Sequence, residues 1–358
     1  MAERAAPAGE RRGAATAARE ALREIGIPRL LIALFLLTLF AVAFATHMDM
    51  AALITDCILR IARNGLLVLA LLPAIQGGLG LNFGLPVGII CGLLGCVITL
   101  NASIGGWPGF GLSAAIGMAL AVPAGLGYGW LLNRTRGQEM MVGTYLGFAV
   151  VSGMSIFWIL APFTNPALVW AISGRGLRTT LTLTGIWDKL LDNLGGFHIG
   201  RVGIPTGTLA LFALACLLVA LFFKSRAGLS ISAARSNPRF ALAAGILDER
   251  TRVQATVMST VIAALGIVVF CQSYGFVQLY TAPLLMAFPT VACLLIGGAS
   301  VSRATLAHVV IGTVLFQSIL TVALPVTSQV VQGDFSETAR LIIQNGMILY
   351  ALTRKSDR

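Results

Sequence analysis

Two amide side chains, Gln76 and Asn82, are the polar groups best placed to bind a ligand within the apolar part of this chain. They lie at a glycine-rich run, residues 77–86, that joins two apolar stretches. An amide donates and accepts hydrogen bonds, so it could bind a hydroxyl group or the edge of a base. Alternatively, the amides could satisfy backbone groups that are freed where glycine and proline break a helix, which is the interpretation we favour. Phe83 could gate access to such a site, or it could simply pack.

The sequence contains no pattern that predicts catalysis or a metal site. The six cysteines have no Cys-x-x-Cys spacing, and most lie in apolar runs, where free cysteine behaves as a small hydrophobic residue. None of the three lysines, Lys189, Lys224 and Lys355, ends a Gly-x-x-x-x-Gly-Lys-Ser/Thr loop that could bind ATP phosphates. We therefore expect no catalytic residues, no metal and no cofactor in this chain.

The composition is that of a membrane protein. Of 358 residues, 57% are hydrophobic and 11% are charged, and the mean hydropathy is +0.88. Soluble proteins carry about 25% charged residues. The net charge of +11 is concentrated in the N-terminal tail, in short loops and at the C-terminus. This distribution is typical of cytoplasmic topology signals and argues against a nucleic-acid partner.

The apolar runs and basic loops predict an all-α integral membrane protein with about ten transmembrane helices, one of them discontinuous at residues 77–86. A cytoplasmic tail is expected over 1–28, a transmembrane domain over 29–353 and a cytoplasmic C-terminus over 354–358. We expect residues 49–63 to form a separate interfacial helix. Residues 163–204 are expected to form an external loop with some helix of its own.

A short helix is predicted inside the basic loop over residues 224–253. Asn237 can cap its first N–H groups, Pro238 suits the first helical position, and Gly245 can end it. Ala241 and Ala244 would share one face of about two turns. Because a helix this short is unstable alone, it must dock, either in a groove of a partner protein or on the bilayer.

This loop resembles the coupling segment of ATP-binding cassette (ABC) importer permeases of the ribose and branched-chain amino-acid type. That segment commonly has a glycine-containing approach followed by Asn-Pro, Ala-Ala and Gly-Ile. Here residues 227–229 read Ala-Gly-Leu, and Asn237-Pro238, Ala243-Ala244 and Gly245-Ile246 follow. The resemblance extends over most of the chain from residue 64 onward, but the specific motif is confined to this loop.

The resemblance implies a permease that pairs with a second permease subunit, identical or related, in a bacterial inner membrane. Two cytoplasmic ATPase subunits would bind ATP and Mg²⁺, and an extracytoplasmic solute-binding protein would deliver the solute. Closure of the ATPases would move the loop helix and thereby open the path alternately to each side. The residues implied in ATPase coupling are Asn237, Pro238, Ala241, Ala244 and Gly245, and the candidates for the translocation path are Gln76, Asn82 and Phe83.

The solute is less well indicated. The sugar branch often has an Asp near the position of Gly80, which this chain lacks. The nucleoside-type branch often has Asn-Ile-Gly, which residues 82–84 partly match, followed by residues that 85–88 do not match. We favour a sugar or nucleoside. The alternatives are a branched-chain amino-acid importer and a carrier or channel that needs no ATPase, although few charges within the apolar runs argue against proton coupling.

Overall fold

The structure is a computed structural model that describes residues 27–163, 165–170, 176–330 and 335–353. The predicted N-terminal tail and C-terminus lie almost entirely outside these residues. The described residues are mostly helical, with twelve helices and four short strands. The helices are α1 Ile27–Ala45, α2 Met50–Gln76, α3 Leu85–Asn101, α4 Gly106–Arg134, α5 Glu139–Leu160, α6 Thr206–Lys224, α7 Arg226–Ser236, α8 Pro238–Ala243, α9 Asp248–Tyr274, α10 Ala282–Ile296, α11 Leu306–Val330 and α12 Phe335–Thr353. The strands are β1 Thr180–Thr182, β2 Phe197–Ile199, β3 Val202–Ile204 and β4 Phe276–Gln278.

Six of the described helices, α2, α4, α5, α6, α9 and α11, are long and apolar enough to cross a membrane. Shorter apolar segments lie in α1, α3, α10 and α12. The architecture is therefore that of an all-α membrane protein. The predicted number of about ten spans and the cytoplasmic location of both termini stay predictions.

Helix α9 lies at the centre of the assembly and packs against α2, α3 and α4. Glycine permits the closest of these contacts. A Cβ atom at Gly88 or Gly92 of α3 would collide with the α9 backbone, at Thr260 and Ala264 respectively. Small residues allow apolar helices to pack backbone against backbone, where van der Waals contact rather than exclusion of water holds them together.

The predicted interfacial helix over residues 49–63 is wrong as a separate element. It is the first half of α2, which begins after Asp49, whose carboxylate accepts hydrogen bonds from the free N–H groups of the first turn. Arg63 is buried, and its guanidinium carbon lies 4.5 Å from the ring centre of Tyr274 and 5.6 Å from that of Phe270. Two aromatic faces can stabilise a buried cation, so the charge of Arg63 did not mark the end of a helix.

The expected external loop contains strands where we predicted helix. Strand β1 pairs antiparallel with β4, and β2 pairs antiparallel with β3. None of the described residues between 163 and 204 belongs to an α-helix. The β1–β4 pairing satisfies backbone groups of the loop and of the segment that follows α9, which a local helix could not do.

A helix was also missed in the basic loop. Residues 226–236 form α7, which begins after Ser225 and precedes the predicted short helix. The glycine in its first turn has a packing role, because a Cβ atom at Gly228 would collide with the backbone of Phe222 and Phe223 at the end of α6. The glycine of the Ala-Gly-Leu sequence over residues 227–229 therefore lets α6 and α7 meet at a sharp angle.

Candidate functional site

The short helix α8 has the caps that the sequence predicts. It begins at Pro238, and the Asn237 side-chain oxygen accepts a hydrogen bond from the Phe240 N–H at 3.1 Å. It ends at Ala243, and Gly245 follows with φ +77°, the left-handed conformation that glycine adopts most easily. The helix is shorter than the predicted two turns, with six residues.

The side chains of α8 are oriented differently from our prediction. Ala241 is 1% exposed and faces this chain itself, so it is not part of a free small-residue face. Asn237, Ala244 and Gly245 are exposed at the two ends of the helix. The large side chains on the outside are Phe240, 64% exposed, and Leu242, 67% exposed. An exposed apolar pair on a short polar loop is typical of a docking surface. Neither residue was among those predicted from the sequence.

Arg252 in the first turns of α9 connects this helix to three other segments. Its side chain is buried, and it donates hydrogen bonds to Asn133 Oδ1 at 3.0 Å and to Glu139 Oε1 at 2.6 Å. Its third nitrogen lies 3.5 Å from the Gly78 carbonyl oxygen. These partners belong to the end of α4, the start of α5 and the glycine-rich junction. A buried, charge-assisted arrangement of this kind couples the positions of its members.

The sequence offered one signal for this arrangement that we did not use. Glu139 is an isolated acid beside the basic residues Arg134 and Arg136, where a topology signal alone needs no acid. A second, more exposed ion pair joins Arg136 to Asp248 at 3.1 Å. Because that pair is about half exposed, it contributes much less than the buried one.

The predicted break in the membrane helices lies at the expected place. Helix α2 ends at Gln76 and α3 begins at Leu85, with Gly78 and Gly80 between them at φ +74° and +76°. These left-handed values are accessible to glycine at little cost. The Arg252 contact with Gly78 brings this junction next to the segment that follows α8.

Asn82 in this junction is buried, and both ends of its amide are hydrogen-bonded. Its oxygen accepts hydrogen bonds from the Gly84 N–H at 3.0 Å and from the Tyr128 hydroxyl at 2.8 Å, and its nitrogen donates to Ser259 Oγ at 2.9 Å. The interpretation we favoured, that the amide satisfies the broken helix, agrees with this geometry. Asn82 additionally ties the junction to α4 and α9.

The other two candidates for the path also make internal contacts. The Gln76 amide donates to the Ala304 carbonyl oxygen at 3.0 Å. The Phe83 ring is partly buried, with its centre 5.5 Å from that of Phe288 in α10. A role of Gln76, Asn82 and Phe83 in solute passage stays a prediction. In the part of the chain that the structure describes, no group of three His, Cys, Asp or Glu residues could hold a metal ion.

The chain thus combines a short capped helix with a glycine-rich break between two apolar helices. A family model described as branched-chain amino acid transport system / permease component matches residues 53–352, which include both features. The chain belongs to this permease family. It is a multi-pass transport subunit of the ABC type, and permeases of this family generally work with ATPase subunits and solute-binding proteins. Neither a curated protein nor a solved structure matches the permease.

Proposed function

We propose that this permease forms the translocation path of an ABC importer for a small polar solute such as a sugar or nucleoside. It would act in a bacterial cytoplasmic membrane, surrounded by lipid, with a second permease subunit of the same or a related chain. ATP and Mg²⁺ would bind to separate ATPase subunits. An extracytoplasmic solute-binding protein would deliver the solute.

The observation that supports this proposal best is the exposed apolar pair on α8. Phe240 and Leu242 are held outward on a helix whose two ends are capped, which suits insertion into a groove of an ATPase subunit. Ala241 anchors the inner face of the same helix. A push on α8 would reach α9 through the four-residue connection 244–247, and α9 lies at the centre of the membrane helices.

Arg252 provides a route from this connection to the path. Displacement of α9 would act through the Arg252 side chain on Glu139 and on the Gly78 carbonyl. The junction that contains Gly78 also contains Asn82, whose hydrogen bonds join α4 and α9. Movement of α9 would therefore change the hydrogen bonds at the broken helix, where we propose that the solute passes.

The solute class rests on the chemistry of that junction. The side chains that bond to Asn82, those of Tyr128 and Ser259, are neutral like Asn82 itself. These groups bond to one another in this structure, so a hydroxyl group or base edge would replace one of these bonds when α9 moves. A branched-chain amino acid is the second candidate, because the matching family model is described by that transport system.

Reconstitution in proteoliposomes tests the proposal. Uptake of labelled ribose, uridine or leucine should require the solute-binding protein, ATPase subunits and ATP, and the solute that is taken up identifies the class. Uptake by the permease alone would contradict the importer and support an ATPase-independent carrier or channel.

Variants of α8 test the coupling step separately. The double variant Phe240→Ser and Leu242→Ser should reduce ATP-driven uptake at least tenfold, since two anchor residues of an interface would be lost, while stability stays nearly unchanged. Leu229→Ser is the matched control, because Leu229 is a similarly exposed leucine, 58% exposed, on the neighbouring helix α7. Equal uptake by all three proteins would show that α8 does not transmit the ATPase movement.

A further inference from the structure

An open cleft of about 1140 Å³ lies beside the segment that contains α7 and α8. Its walls come from the glycine-rich junction, the start of α5, the last turns of α7 and the turn before α11. Two arginines line it, Arg235 on α7 and Arg303 in the turn. The proposed function places the solute at the glycine-rich junction, which forms one wall of this cleft, but it assigns no role to the two arginines.

Within the part of the chain that the structure describes, the two arginines lack an acidic partner. Neither guanidinium makes an ion pair with any described residue, and the acid that lines the cleft, Glu139, is already paired with Arg252 at 2.6 Å. Burial, and secondly the nearby positive charge of Arg303, lower the pKa of Arg235. Arg235 is partly buried and Arg303 is exposed. Two neighbouring cations repel each other, and an anion between them would relieve this repulsion.

The remaining lining is suited to a ligand with a polar and an apolar part. The hydroxyl-bearing residues Ser232, Ser236 and Ser302 lie near the arginines, whereas the exposed apolar side chains of Met140 and Val301 form another part of the wall. Gly78 is exposed and leaves the backbone of the junction uncovered on the cleft side, whereas Gly80 is buried against Val301. A ligand could therefore approach the chain closely there.

We propose that this cleft binds a phosphate ester, with the phosphate held between Arg235 and Arg303. Guanidinium groups match phosphate oxygens in two-point hydrogen bonds, and serine hydroxyls complete such a site. The ester is either the headgroup of an anionic phospholipid, whose acyl chain would cover Met140 and Val301, or a free organic phosphate. Bound there, it bridges α7 to the turn over residues 300–303 and restrains the segment that carries α8.

Binding to the purified full-length permease, without ATPase subunits, tests this site. Retention of labelled phosphatidylglycerol and of labelled glycerol phosphate is measured in separate arms. Binding of phosphatidylglycerol alone shows that the phosphate ester is a lipid headgroup. Binding of glycerol phosphate shows that it is a free organic phosphate. Either result supports the proposal if binding depends on both arginines. Because no ATPase is present, the result does not depend on whether the importer proposal is correct.

The variants Arg235→Gln and Arg303→Gln should each weaken binding about tenfold, which corresponds to the loss of one charge-assisted hydrogen-bonding partner. Arg250→Gln is the matched control, because it removes the same charge from an exposed position on α9 that does not line this cleft. Ser302→Glu, at an exposed residue, places a carboxylate beside the arginines and should abolish binding without disturbing the fold. Failure of both ligands to bind, or equal binding by the wild type and all the variants, would overturn the proposal.

Discussion

The two ends of the helical assembly differ in how much backbone-to-backbone hydrogen bonds contribute to joining distant segments. At the end that contains β1 to β4, backbone groups of distant segments bond directly, as in Gly106 N to Ile186 O at 2.7 Å and Lys189 N to Gln272 O at 2.7 Å. At the end that contains α7 and α8, which we name the coupling end, side chains join the segments. The Arg252–Glu139 ion pair is the strongest example.

This difference indicates which end can move. Backbone bonds between loops allow few alternative arrangements, and at the strand-containing end they surround Trp158 and Trp187, which are 0% and 1% exposed. Long side chains can exchange partners without unfolding the segments that carry them. We therefore expect the strand-containing end to act as a rigid frame and the coupling end to rearrange. Three substitutions test whether the two ends differ in this way.

The largest effect is expected for Arg252→Met at the coupling end. Removal of the cation leaves the nearly buried Glu139 carboxylate without its partner, which should lower the free energy of unfolding by about 3–5 kcal/mol and abolish ATP-driven uptake. Thermal unfolding of the purified protein and uptake in proteoliposomes measure the two effects. Adding Glu139→Leu should restore most of the stability but not the uptake; recovery of both would show that Arg252 has no role in coupling.

Trp187→Ala at the strand-containing end should be nearly as destabilising but should affect function differently. The cavity left by a fully buried indole should cost about 3–5 kcal/mol, because the rigid surroundings cannot collapse into it. Uptake per folded molecule should remain close to that of the wild type. Trp187→Phe, which preserves much of the volume, is the control. A loss of uptake out of proportion to the folded fraction would contradict the description of this end as a passive frame.

The smallest effect is expected for Asn237→Ala. Loss of the cap should destabilise α8 by about 1 kcal/mol, with little change in the overall unfolding temperature. Hydrogen exchange should increase at the amides of residues 239–246 and nowhere else. Ser230→Ala, on α7 and outside the lining of the cleft, should change neither exchange nor uptake. If Asn237→Ala leaves the exchange of α8 unaltered, the cap does not hold this helix in position.

Local features were predictable because they depend on neighbours in sequence. The cap at Asn237, the turn at Gly245 and the break over 77–86 all follow from the backbone preferences of single residues. The prediction failed where a charge was taken as a surface marker. Arg63 of α2 can be buried because two aromatic rings of α9 contact its guanidinium group. Those rings are about two hundred residues away in the chain, so the sequence around Arg63 does not show them.

The same limit applies to the site. That α8 exists could be derived from its caps, but the direction of Ala241 and of Phe240 depends on how α8 rests on α7 and α9. The partners of Asn82 come from α4 and α9, and those of Arg252 from three separate segments. No spacing in the sequence encodes these contacts.

The membrane location and the helix caps could be predicted without the structure, because they depend on composition and on local backbone preferences. The resemblance to importer permeases depends on a motif within one loop and was visible in the same way. Only the tertiary structure decided which side chains face outward, which charges are buried in pairs and which arginines are left to face an open cleft. Those features depend on helices that meet in space, where packing and desolvation, rather than local preference, determine the energy of each side chain.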